Sequence, residues 1–133
     1  MKKTENEIVI DASCILEFLL TQSNKTNIVK TIGTANLLAP ACLPYEIGNA
    51  ISKLIKRKLL SVRDGVSVYH EFAKIPIRII EPDIPNAIVL SGETKSYAYD
   101  SYYVSLAKQF GTPLFTLDEK MKSNAKTAGV KCL

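Results

Sequence analysis

The sequence predicts an α/β protein: a three-layer α/β/α sandwich around a mainly parallel sheet of four or five strands. Short β-branched or apolar runs alternate with amphipathic stretches of helical length along the whole chain. Strands separated by helices pair in parallel, with both faces of the sheet covered. The chain has 133 residues, 47% of them hydrophobic and 23% charged. That suits one domain spanning 1–133 with an ordinary core, and it excludes wholesale disorder.

Taken in order, Glu7-Ile-Val-Ile-Asp11 reads as the first strand, and residues 13–22 are apolar and of helical length. Residues 24–35 set Ile28, Ile32 and Ala35 on one helical face. Asn36-Leu-Leu-Ala-Pro40 is extended, with Pro40 fixing its end. Residues 44–60 carry Ile47, Ile51, Leu54 and Ile55 at helical spacing. Ser61 caps the next helix, whose buried stripe is expected at Val62, Val66, Tyr69, Phe72 and Ala73. Ile77-Arg-Ile-Ile-Glu81 is a third strand closed by Pro82, and Asp83 with Pro85 opens a short helix to about Lys95. Residues 99–110 turn Tyr103, Leu106, Ala107 and Phe110 inward, with Gly111 as the stop. Residues 113–117 form a fourth strand, 118–128 a helix and 129–133 a fifth strand.

Several function classes drop out. No apolar stretch approaches the ~20 residues of a membrane span, and the charged start, Met1-Lys-Lys-Thr-Glu-Asn-Glu7, does not read as a signal peptide. A cytoplasmic protein is expected. Cys14, Cys42 and Cys132 are odd in number and lack a CxxC, so they read as buried free thiols. His70 is the only histidine, which speaks against Ser-His-Asp, Cys-His and multi-histidine metal chemistry; it reads as a structural residue. Neither a Walker A motif nor a GxGxxG follows the first strand, which disfavours nucleotide-dependent enzymes. Seventeen basic against thirteen acidic residues give a net charge of +4, which permits nucleic-acid binding without demanding it.

The informative residues are acids. Asp11 and Asp118 each follow an apolar run directly, and Glu46 and Asp100 fall in first turns of expected helices. Ligands of open parallel sheets bind beyond the carboxyl ends of the strands, and right-handed winding brings helix starts to that same rim. Each acid also has a plain structural explanation. Asp11 and Asp118 suit helix N-caps, and a carboxylate near a helix start gains about 0.3–1 kcal/mol. Four carboxylates from four segments on an apolar background point further, to a shared site. Such a cluster repels itself and calls for a divalent cation; oxygen ligands without His or Cys favour Mg²⁺ or Mn²⁺ over zinc.

Four segments occur in order: Val9-Ile-Asp-Ala-Ser13, Leu43-Pro-Tyr-Glu-Ile-Gly-Asn49, Tyr99-Asp-Ser-Tyr-Tyr-Val-Ser-Leu-Ala107 and Phe115-Thr-Leu-Asp118. Over nearly the whole chain the set resembles the PIN-domain nucleases, and most closely the VapC-like toxins of toxin–antitoxin pairs. The resemblance implies a Mg²⁺- or Mn²⁺-dependent endoribonuclease. Its acidic constellation matches Asp11, Glu46, Asp100 and Asp118 as catalytic residues and metal ligands. Ser13 matches the hydroxyl that supports the first acid, Asn49 the Glu-x-x-Asn position, and Thr116 the hydroxyl two before the last acid. It further implies an RNA substrate, an antitoxin partner that blocks the site, and a homodimer.

Lys53 and Arg57 fall near the helical face of Glu46 and Asn49, where they suit either phosphate contacts or a solvated face. Tyr45, Tyr97, Tyr99 and Tyr102 lie near the acids without a pattern that selects base stacking. The apolar excess of Ile15, Leu16, Phe18, Leu19 and Leu20 suits a partner interface or a fully buried helix. Two alternatives keep the PIN fold: an RNA- or partner-binding module without turnover, and a nuclease of RNA processing or decay. A phosphoryl-acceptor signalling domain is disfavoured, because Glu5 and Glu7 do not form the paired acids that should follow its first strand.

Overall fold

The computed structural model describes residues 6–133; the charged start read above, residues 1–5, lies outside the described residues. Four strands form one sheet: β1 (Glu7–Ile10), β2 (Asn36–Pro40), β3 (Ile77–Ile80) and β4 (Leu114–Phe115). Their order is β3-β2-β1-β4, and every pairing is parallel. The helices are α1 (Ala12–Leu20), α2 (Lys25–Ile32), α3 (Leu43–Lys56), α4 (Val62–Ala73), α5 (Ile84–Thr94), α6 (Ala98–Phe110) and α7 (Glu119–Thr127). The expected α/β architecture with a parallel sheet is therefore what the chain adopts.

The central strand β1 is buried throughout Ile8, Val9 and Ile10, as an inner parallel strand covered on both faces must be. Around it pack Leu38, Leu43, Ile47, Tyr103, Val104 and Leu114, each almost fully buried. Helix starts follow their local chemistry. Asp11, Ser61, Asp83 and Asp118 each accept a hydrogen bond from a backbone N–H three residues on. Gly111 closes α6 in the left-handed conformation that favours glycine. Among the described residues, no helix is long and apolar enough to cross a membrane.

Four expectations need correction. The fourth strand is shorter than residues 113–117, covering Leu114–Phe115. The fifth strand is reduced to a single parallel bridge between Leu114 and Cys132, made where the Leu114 N–H donates to Lys131 and the Leu133 N–H donates to Leu114. The buried stripe of α4 is also rotated from its expected phase. Val62, Val66 and Ala73 are exposed, while Gly65 and Phe72 are buried and Val68 and Tyr69 half-buried. The cysteines are free thiols, but Cys14 alone is fully buried; Cys42 and Cys132 are half-buried. His70 is exposed on α4.

Gly65 explains the rotation of α4. A Cβ there would lie 2.9 Å from both Ile51 Cγ2 and Ile55 Cδ1 of α3, so the missing side chain lets the two helices approach closely. Gly65→Leu is expected to destabilise the protein by about 2–3 kcal/mol through overpacking. Gly92, exposed on α5, has nothing within 4 Å of such a Cβ, so Gly92→Ala is expected to gain up to about 1 kcal/mol of helix propensity. Thermal denaturation of the two variants reads both signs.

Candidate active site

Asp11 follows β1 directly and caps α1, so the end of the central strand delivers a carboxylate to the rim of the sheet. It is 3% exposed, a costly position for a carboxyl unless donors surround it. They do. Ser13 Oγ donates to Oδ1 at 2.7 Å, the Cys14 N–H donates to the same oxygen at 3.2 Å, and Thr116 Oγ1 donates to Oδ2. The two hydroxyls then accept from the chain beyond β4: Leu117 N–H reaches Ser13 Oγ at 2.9 Å, and Asp118 N–H reaches Thr116 Oγ1 at 3.0 Å. Asp118 caps α7 through the Met121 N–H. Ser13 and Thr116 thus both donate to the Asp11 carboxylate.

Glu46 sits in the first turn of α3, half-buried, where Tyr103 Oη donates to its Oε1 and Cys42 Sγ lies 3.9 Å from that oxygen. Asp100 lies in the first turn of α6, three residues before Tyr103. Electrostatics link all four acids. Burial pushes the Asp11 carboxyl above the usual range, its three hydrogen bonds oppose that, and the Asp118 charge adds to it. Glu46 is raised by burial first, against the Tyr103 hydrogen bond, and further by the charges of Asp11 and Asp100. Asp100 is raised by burial, then by Asp118 and Asp11, with the Lys120 ammonium working against them. Four segments distant in sequence therefore bring their carboxylates within each other's electric field.

The donor set is hard oxygen, which fits Mg²⁺ or Mn²⁺ chemistry. The acids do not form a ready-made shell: among the described residues, no three His, Cys, Asp or Glu side chains are grouped closely enough to hold one ion. Lys53 and Arg57 are exposed on α3 beyond Glu46, Arg57 as its C-cap. Asn49 is exposed one turn after Glu46 and makes no side-chain hydrogen bond among the described residues. Tyr103 has a role that sequence reasoning missed. Its helical spacing marks it as core, and it is 1% exposed, but its hydroxyl is the partner of Glu46. Lys120, beside Asp100 and over the Tyr97 ring at 5.3 Å, was likewise not singled out.

The raised carboxyls fix the sign of a pH effect. A group whose folded pKa exceeds its unfolded value stabilises the fold below the unfolded value, and that stability is lost as pH rises through the folded value. In the presence of EDTA, the melting temperature is therefore expected to fall as pH rises from about 4 towards neutrality. Asp100→Asn, which removes one charge, should flatten this fall and melt a few degrees higher at neutral pH. Scanning calorimetry across pH checks both.

A profile described as PIN domain matches residues 8–127. The chain is 32% identical over 116 residues to "Ribonuclease VapC12" of Mycobacterium tuberculosis, covering 86% of this chain and 88% of that protein. The crystal structure of PAE2754 from Pyrobaculum aerophilum superposes with a TM-score of 0.75 at 19% identity, covering 96% of this chain and 83% of that one. A toxin–antitoxin complex from Klebsiella pneumoniae contains a chain matching at a TM-score of 0.63 and 13% identity, with 95% of each covered. The four acids, the hydroxyls that hold them and the parallel sheet that presents them thus lie within a region matched almost end to end, and the chain belongs to the PIN-domain family.

Proposed function

We propose that this protein is a Mg²⁺- or Mn²⁺-dependent endoribonuclease, the toxin of a toxin–antitoxin pair. The observation that carries the reading is the convergence of Asp11, Glu46, Asp100 and Asp118 in a chain one-third identical to a VapC ribonuclease. Asp11, Glu46 and Asp100 would hold the principal ion. Asp118 would complete the site, as ligand of a second ion or by orienting the attacking water. When bound, the metal supplies a water of lowered pKa and offsets charge on the leaving oxygen of the phosphodiester. The chain's own part is positional. Ser13, Thr116 and the Cys14 N–H hold the Asp11 carboxylate, and the two hydroxyls hold the backbone that carries Asp118.

Lys53 and Arg57 take the phosphates flanking the cut, on the exposed run of α3 beyond Glu46. The antitoxin covers an apolar groove of about 430 Å³ lined by Phe18, Leu19, Ile28, Val29, Ile32 and Ile75. That groove runs along α1, the helix that Asp11 caps. The fold it shares with a chain of a toxin–antitoxin complex supports such a partner. A second copy of the chain pairs through Ile84, Ile88 and Val89, which α5 exposes by 47%, 59% and 61%.

The first experiment incubates the purified chain with a mixed RNA pool in Mn²⁺, Mg²⁺ or EDTA, beside Asp11→Asn and Asp100→Asn. Cleavage is expected in either metal and not in EDTA. Each variant should lose more than the about 10–100-fold typical of outer-shell partners. Asp100→Asn should lose metal affinity as well; cleavage and affinity that both survive would overturn the ligand assignment. Neutralising Lys53 and Arg57 together should reduce the slope of log affinity against log salt by about 1.4 for single-stranded RNA. An unchanged slope removes them from the RNA-binding surface.

A further inference from the structure

Each carboxylate oxygen has two lone pairs, and the donors around this site are unevenly shared among them. Glu46 Oε1 meets two donors, the Tyr103 hydroxyl and the Cys42 thiol, whereas Oε2 has no hydrogen-bond donor among the described residues. Asp11 Oδ1 likewise meets two, Ser13 Oγ and the Cys14 N–H, while Oδ2 meets Thr116 alone. Asp118 gives Oδ1 to the Met121 N–H. Glu46 and Asp118 therefore each have one oxygen held by the protein and one without a donor, whereas Asp11 has both oxygens held. Asp100 differs from all three: its side chain accepts no hydrogen bond among the described residues.

Ion preference follows from how many oxygens a carboxylate can offer. Ca²⁺ takes six to eight oxygens and uses bidentate carboxylates; Mg²⁺ needs a tight octahedron and takes one oxygen from each acid. We propose that Tyr103 is a positioning residue that restricts Glu46 to a single ligating oxygen, so that the site selects a small six-coordinate ion over Ca²⁺. The inference rests on the metal-dependent reading above and extends it to the choice of ion. Tyr103 is suited to the task because it is rigid. Its ring is buried in the core on α6, one turn after Asp100, so one helix sets both the free acid and the restraint on Glu46.

The test measures binding without RNA. Mn²⁺ is titrated into the metal-free protein and followed by the electron paramagnetic resonance of the free ion, and Ca²⁺ is then added as competitor. Wild type, Tyr103→Phe and Glu46→Gln are compared. Wild type should prefer Mn²⁺. Tyr103→Phe should weaken Mn²⁺ binding by about tenfold while Ca²⁺ binds as before or more tightly, so the preference falls by at least that factor. Glu46→Gln should weaken both ions. A merely structural role for Tyr103 would weaken both ions together, and an unchanged Mn²⁺/Ca²⁺ ratio in Tyr103→Phe overturns the inference. Should that variant fail to fold, wild type still decides: equal affinity for the two ions overturns it. Wild type that binds no Mn²⁺ defeats the metal-dependent reading itself, a result distinct from an unchanged ratio.

Discussion

The buried carboxylate of Asp11 is the constraint on which the rest of the site depends. A carboxyl at the end of the central strand has lost its water, and burial without donors would cost several kcal/mol. The chain meets that demand with two hydroxyls from opposite ends of the sequence, Ser13 and Thr116, separated by 103 residues. Neither hydroxyl stops there. Each accepts a backbone N–H from the segment after β4, so satisfying Asp11 also fixes Leu117 and Asp118. One desolvated group thus ties α1 to the turn that starts α7 and sets where two of the four acids stand.

The same carboxylates serve two ends at once. As N-caps, Asp11 and Asp118 satisfy orphan N–H groups and gain from the helix dipole. As neighbours they repel, and burial of Asp11, Glu46 and Asp100 adds to that cost. A fold optimised for stability would keep the caps and disperse the charges. Here local capping and mutual repulsion pull in opposite directions, which is where function is expected to override stability.

The parts of this arrangement that were legible in sequence share a feature: their signal is local. An acid directly after an apolar run, as in Ile8-Val-Ile-Asp11, marks both a strand end and a cap, and both readings hold. The α6 core at Tyr103, Leu106 and Ala107 follows from helical spacing alone. Where the reading failed, contacts between distant segments decided. Val62 and Val66 are four apart and look like a buried stripe, but α4 turns instead on Gly65, because only a residue without a side chain lets α3 come so close. The fifth strand is likewise reduced to one bridge, at Leu114 of a β4 that is itself only two residues long.

Tyr103 shows why spacing within one helix cannot reveal such a role. Its position predicts burial, and burial is observed, yet a buried phenol must still place its hydroxyl on an acceptor. The acceptor is Glu46, 57 residues away, and nothing in the local pattern of α6 points to it. A phenylalanine would fill the core equally well, so packing accounts for the ring and not for the oxygen. The oxygen is explained by the acid it faces. The Tyr103 hydroxyl on Glu46 therefore belongs to the site beside the carboxylates, as do the Ser13 and Thr116 hydroxyls on Asp11.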